Sequence, residues 1–195
     1  LRRGENAAIN LVLGVMVSLP ILEGVLRLVR GEGIGGSSSI VQHLTLWAAF
    51  LGALLCTRER AHLGLSTAEL IPEGAPRHAA QVFQYTVSAG VTAVLAYASL
   101  ELVKADSSSN QQVIDGVPIW WVETIMPVAF AIMALRLVWN ASPRWSGRAI
   151  ALCGVIAALS LGQIEEPTHA LVLGLRALLM VALLLGAPIY VAMGG

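Results

Sequence analysis

Two Glu-x-x-His pairs, Glu59 with His62 and Glu166 with His169, are the residues whose types and spacing could do chemistry. On a helix, the i, i+3 spacing puts a carboxylate and an imidazole on one face. That is the half-site of di-iron carboxylate bundles, which add a Glu from each of two further helices. Glu101 and Glu123 would complete such a set. The chain has four histidines, His43, His62, His78 and His169. Two of them on facing helices could instead ligate a b-type haem. Around the first pair the sequence is unusually charged: the apolar "LWAAFLGALLCT" breaks directly into Arg58-Glu59-Arg60-Ala61-His62.

The elements that would carry these residues decide between the readings. Of 195 residues, 56% are hydrophobic and 12% charged, with mean hydropathy +0.75. A soluble domain carries about a quarter charged residues, so the chain reads as all-α and integral to a membrane. A spanning helix needs about 20 mostly apolar residues. Six segments qualify: 6–29 (with Pro20 as a kink position), 40–57, 79–103, 119–139, 149–163 and 171–193. The fifth is the shortest, either a steep span or a re-entrant segment. The first residue is Leu, and the expectation is a trimmed N-terminus. Arg2-Arg3 before an apolar run could open a signal peptide, but no small-x-small site closes it, so the run reads as a retained helix. Between the spans, 31–39 is flexible by composition, 66–77 could open with a short interfacial helix, 106–116 is polar without helical period, and 140–147 is a tight connector.

Lys and Arg are retained on the cytoplasmic side. With the N-terminus inside, Arg2, Arg3, Arg58, Arg60, Arg77, Arg136, Arg144 and Arg148 fall inside, against Arg27, Arg30 and Lys104 outside. This predicts a cytoplasmic N-terminus. It also separates the two Glu-x-x-His pairs, putting Glu59/His62 on the inner face and Glu166/His169 on the outer. About 30 Å of hydrocarbon lies between, whereas a bimetallic site needs its ions about 4 Å apart. The di-iron reading fails on that distance. Haem stays as an alternative through His62 with His78, or His43 with His169, although His78 and His169 sit in interfacial surroundings. No phosphate loop, nucleophile elbow or zinc-protease helix occurs. The expectation is therefore no enzyme, no catalytic or metal residue and no resident cofactor. Zero net charge gives no pull toward nucleic acid. Cys56 and Cys153 form no pairing pattern and read as packing residues.

The remaining charges lie near span ends, where long side chains snorkel. Glu23 with Arg27 and Glu101 with Lys104 have spacings that pair on a helix face. Glu123 and Arg176 lie about one turn inside their spans. Trp120, Trp121, Trp139 and Trp145 fall at span ends, as interfacial anchors do.

Two stretches then resemble a known family. "LWAAFLGALLCTRERAHLGL" (46–65) is similar to the second-helix signature of the small permease subunit of tripartite ATP-independent periplasmic (TRAP) transporters, through Trp47, Phe50, Leu51, Gly52, Ala53, Arg58, Glu59, His62 and Leu63. "VPIWWVETIMPVAFAIMALR" (117–136) resembles its fourth helix through Pro118, Trp120, Trp121, Pro127, Phe130, Met133 and Arg136. Cys56 and Thr57 stand where small residues are more usual, and Leu63 replaces a frequent isoleucine. The resemblance covers about residues 1–142. It implies a four-helix small-permease domain in which Trp47, Gly52, Arg58, Glu59, His62, Pro118, Trp120, Trp121, Pro127 and Arg136 are structural or interface anchors.

Small subunits of that family usually end after four helices, and this chain continues. Its last stretch resembles the start of the large permease subunit through Gly186, Ala187, Pro188 and Ile189. The resemblance thus implies a fused small–large chain: 1–142 the small-permease domain, 143–168 a connecting transmembrane segment, and 169–195 the first helix of a large-permease domain. It further implies a multi-pass protein of a bacterial or archaeal inner membrane. The partners are the large permease, a periplasmic binding protein and membrane lipid. The small subunit would brace a large subunit that moves as an elevator and itself carries the sodium and carboxylate sites. Small residues such as Gly52, Ala53, Gly90 and Ala93 would allow close helix approach. Arg58 and His62 would fix the end of the second helix with Glu59 as a candidate partner, and Arg60 would meet lipid phosphate.

Overall fold

The computed structural model describes residues 2–30, 36–59, 75–109, 111–114, 116–142, 145–162, 169–185 and 187. Almost all of them are helical. Helices α1 (Arg2–Arg30), α2 (Ser37–Glu59) and α3 (Ala75–Ser107) are followed by a small hairpin, β1 (Gln112–Ile114) with β2 (Val117–Pro118). Then come α4 (Ile119–Glu123), α5 (Ile125–Asn140), α6 (Trp145–Leu161) and α7 (His169–Leu184). By length and composition, four stretches can cross a membrane: Gly4–Arg30, Ser37–Arg58, Pro76–Ser107 and Ile119–Asn140. The helices α6 and α7 are apolar but shorter. With 17 residues, α6 spans about 25 Å at 1.5 Å per residue.

Each boundary has a local cause. Between α1 and α2, Gly36 adopts φ +76°, a left-handed conformation that suits glycine, and the Ile40 N–H then bonds the Gly36 carbonyl at 3.0 Å. Beyond Gly36, the Ser37 hydroxyl donates to Glu23, and Glu23 pairs with Arg27 at 2.9 Å. At its far end α3 runs into Ser107-Ser108-Ser109. Their hydroxyls donate to the carbonyls of Lys104, Ala105 and Asp106 at 2.6, 2.6 and 2.8 Å. Serines that bond the backbone three residues back compete with helix propagation, and the helix stops there. The 33 residues of α3 reach about 50 Å, longer than the expected 79–103 span, so the helix overshoots a hydrocarbon core of about 30 Å.

Two details go beyond the sequence reading. The polar 106–116 stretch, which has no helical period, begins with the last residues of α3 and supplies β1 of an antiparallel hairpin that pairs Gln112 with Pro118 and Ile114 with Val117. Gly116, at φ +89°, makes the turn, and its N–H donates to Gln112 Oε1 at 3.1 Å. The expected single helix over 119–139 is in fact α4 and α5, interrupted at Thr124. Pro127 explains the break: it has no N–H to donate to the Glu123 carbonyl four residues earlier. By contrast, α1 continues as helix through Pro20.

The chain divides into two compact units, 1–56 with 99–129, and 57–98 with 130–195. Buried side chains in the first unit include Val12, Leu51, Leu54 and Val103, and in the second Val82, Ala89, Met133, Leu137 and Ala151. Much apolar surface stays outside. The apolar window of α1 is only 6% buried, and Leu28 is 89% exposed. A helix this apolar and this uncovered requires lipid or protein around it.

Candidate functional site

In the first unit, the two family-like stretches meet at one bond. The Trp47 indole N–H of α2 donates to the Val122 carbonyl of α4 at 2.9 Å. A half-buried indole needs such an acceptor. Val122 lies in the last turn of the five-residue α4, where carbonyls have no partner within the helix, so it can supply it. Pro118 closes β2 and caps the N-terminus of α4 with extended backbone. Trp120 is half-buried and Trp121 63% exposed, so the adjacent rings play different parts, one packed and one facing outward.

A polar group lies beside that bond. The carboxyls of Glu123 and Asp106 face each other, with His43 within electrostatic reach. His43 Nδ1 is 2.8 Å from the Ser39 carbonyl oxygen. Glu123 Oε2 is buried and bonds no donor among the described residues. Even so, no group of three or more His, Cys, Asp or Glu side chains that could hold a metal ion occurs among the described residues.

In the second unit, the first part of α3 packs on α6 through glycines. A Cβ at Gly154 would lie 2.2 Å from Thr86 Cγ2, at Gly90 3.0 Å from Ala158 Cβ, and at Gly147 3.6 Å from Val82 Cγ2 and 2.3 Å from Ser142 Cβ in the connector before α6. Glycine and alanine at these positions let the backbones approach, as in membrane helix pairs. Beyond this contact, α5 and α6 enclose an apolar groove of about 430 Å³. Arg148 closes one end. Its guanidinium lies 4.2 Å from the Trp139 ring centroid and 5.7 Å from that of Trp145, and its Nε–H donates to the Ser142 carbonyl at 3.1 Å.

The structure treats the sequence-derived anchors unevenly. Trp47 is tied directly to the stretch that holds Pro118, Trp120 and Trp121. Pro127 is buried, and Arg58 and Arg136 are half-buried in α2 and α5. Among the described residues nothing lies within 4 Å of a Cβ built on Gly52, whereas Gly90 closely approaches Ala158. Cys56 and Cys153, expected in packing, are exposed: each sits on a helix face left open by the described residues. Among the anchors, His62, Gly186, Pro188 and the side chain of Glu59 lie outside the described residues. Ala187 is 1% exposed, and its N–H bonds the Ala182 carbonyl at 2.9 Å beyond α7. The paired charges stand as spaced: Glu23 with Arg27 and Glu101 with Lys104, both at 2.9 Å. Sequence reasoning missed the Arg148–Trp139 stack and the Gly147/Gly154 contacts. Spacing signalled only the second contact of Arg148, with Trp145 at i, i+3, and for the glycines the signal was two of them seven residues apart.

A family model described as the DctQ component of tripartite ATP-independent periplasmic transporters matches residues 16–147. No curated protein and no solved structure matches the chain. The match takes in α2 to α5 with the second half of α1 and ends three residues into α6.

Proposed function

The chain belongs to the DctQ family of TRAP transporter components, and from this premise we propose that it is the fixed brace of such a transporter. A multi-pass membrane component of this kind works with a large permease and a periplasmic binding protein. In our reading the large permease moves as an elevator, carries the coupling sodium and binds the organic acid. This chain holds the scaffold still, with its N-terminus cytoplasmic.

The observation that carries the bracing role is the Trp47–Val122 bond. It locks together the two stretches that resemble the family and lie 75 residues apart in sequence. A stator must resist shear along the membrane normal. Helices cross-tied by an indole and ended by Trp and Arg side chains do so. The uncovered apolar face of α1 supports a role completed by lipid and a larger partner.

Beyond residue 147, we read α6 as a connecting helix and the segment from His169 onward as the opening of a large-permease domain. The Gly-Ala-Pro-Ile run at 186–189 supports this, as does the odd number of crossings that four spans plus α6 would make.

The deciding experiment is reconstitution. Proteoliposomes holding the large permease, with its binding protein and a sodium gradient, should take up organic acid only when this chain is present. Uptake by this chain alone would refute the bracing role.

A further inference from the structure

The groove between α5 and α6 has a chemistry of its own. Ala131, Ala134, Leu135 and Val138 line it from α5, and Leu152 and Val155 from α6. Its axial length from Ala131 to Trp139 is about 12 Å at 1.5 Å per residue. Leu135 and Leu152 are 68% and 52% exposed, so it opens sideways along the helices.

The closed end is polar and positive. The guanidinium of Arg148 is held in place by the two tryptophan rings and by Nε–H donation to Ser142, while its Nη groups make no hydrogen bond among the described residues. A guanidinium flanked by aromatic faces keeps its charge and its fork of donors. Neither 75–98 nor 130–162, the stretches that form α5, α6 and the part of α3 packed on α6, contains an acidic residue. An apolar trough ended by a pre-positioned guanidinium that forms no ion pair among the described residues matches an amphiphile with an anionic head.

We propose that this groove is a binding site for an anionic phospholipid, with an acyl chain along α5 and α6 and the phosphate on the Nη groups of Arg148. Bidentate donation to phosphate oxygens is the geometry arginine favours. Trp139 and Trp145, 61% and 79% exposed, flank the glycerol level, where such rings prefer to sit. A zwitterionic lipid would offer the same chain but bring an ammonium close to a basic helix end. The site therefore selects by head charge.

The full chain in detergent, titrated with dioleoylphosphatidylglycerol or dioleoylphosphatidylcholine and followed by native mass spectrometry, tests this. The phosphatidylglycerol adduct should be retained in preference, by about fivefold, the selectivity expected of roughly one basic side chain at a lipid surface. Arg148→Gln should abolish the preference, and Arg148→Lys should keep part of it. Ala131→Phe, a substitution at an exposed position away from Arg148, should displace the adduct by filling the groove. Circular dichroism and monodispersity identify any variant that fails to fold, and Ala131→Phe decides if Arg148→Gln does. Equal retention of both lipids overturns the site, as does phosphatidylglycerol retention unchanged in Ala131→Phe. So does displacement of the lipid by a second copy or by the large permease.

Discussion

Trp47 reaches across from α2 to place its indole N–H 2.9 Å from the carbonyl oxygen of Val122. The acceptor lies in the last turn of α4, just before the fourth span is interrupted at Thr124, so a helix end in one stretch is the docking point for a ring on another. Removing the donor while keeping an aromatic ring isolates this bond. Trp47→Phe should lower stability by about 1 kcal/mol, the net worth of one hydrogen bond, or somewhat more because a carbonyl is left unpaired. Thermal unfolding of the purified chain in detergent would measure it. An unchanged midpoint would show that the bond holds nothing.

Glycines in this chain divide into those that need to be glycine and those that do not. Gly154→Val brings a side chain into a space where even a Cβ would lie 2.2 Å from Thr86 Cγ2. It should push α6 off α3 at a cost of about 1–3 kcal/mol, the usual range for overpacking. Gly52→Ala meets open space and should stabilise the isolated chain by up to about 1 kcal/mol through helix propensity. If Gly52 lies against the large permease, the same change should lower complex yield while raising the melting temperature of the isolated chain. Measuring both separates a helix-packing glycine from an interface glycine.

The turn before α2 offers a sharper contrast. Gly36 and Gly116 both have positive φ, so alanine at either carries a backbone strain of about 1 kcal/mol. At Gly36 the new Cβ would also lie 2.5 Å from Ile114 Cγ2, whereas at Gly116 it meets nothing within 4 Å. Gly36→Ala should therefore destabilise clearly more than Gly116→Ala. Equal losses would mean that the hairpin does not rest on the start of α2.

Much of this architecture was legible from hydropathy. The four long spans follow from runs of apolar residues, because lipid imposes length and composition on a helix. The pairs Glu23–Arg27 and Glu101–Lys104 follow from spacing alone. What sequence could not give depended on tertiary placement. Whether Gly52 or Gly154 is the crowded glycine is decided by the neighbouring helix, since both sit in apolar helical stretches. The break at Thr124 was readable from Pro127, but its use by Trp47 was not, because the donor lies 75 residues upstream. The stack of Arg148 on Trp139 crosses the connector between α5 and α6, a geometry that helical periodicity does not describe.

The charged end of α2 carries the last prediction. Arg58 is half-buried in the final turn, next to Thr57, which is 2% exposed. A buried threonine beside a half-buried arginine marks a helix end packed against protein. No group that could hold a metal ion occurs among the described residues. We expect Arg58→Ala with His62→Ala to leave the helicity of the isolated chain intact while lowering its co-purification with the large permease severalfold. Exposed ion pairs contribute little, so a loss of that size requires partly desolvated contacts at an interface. Unchanged complex yield would remove these two residues from the interface and leave them as lipid-facing charges at a helix end.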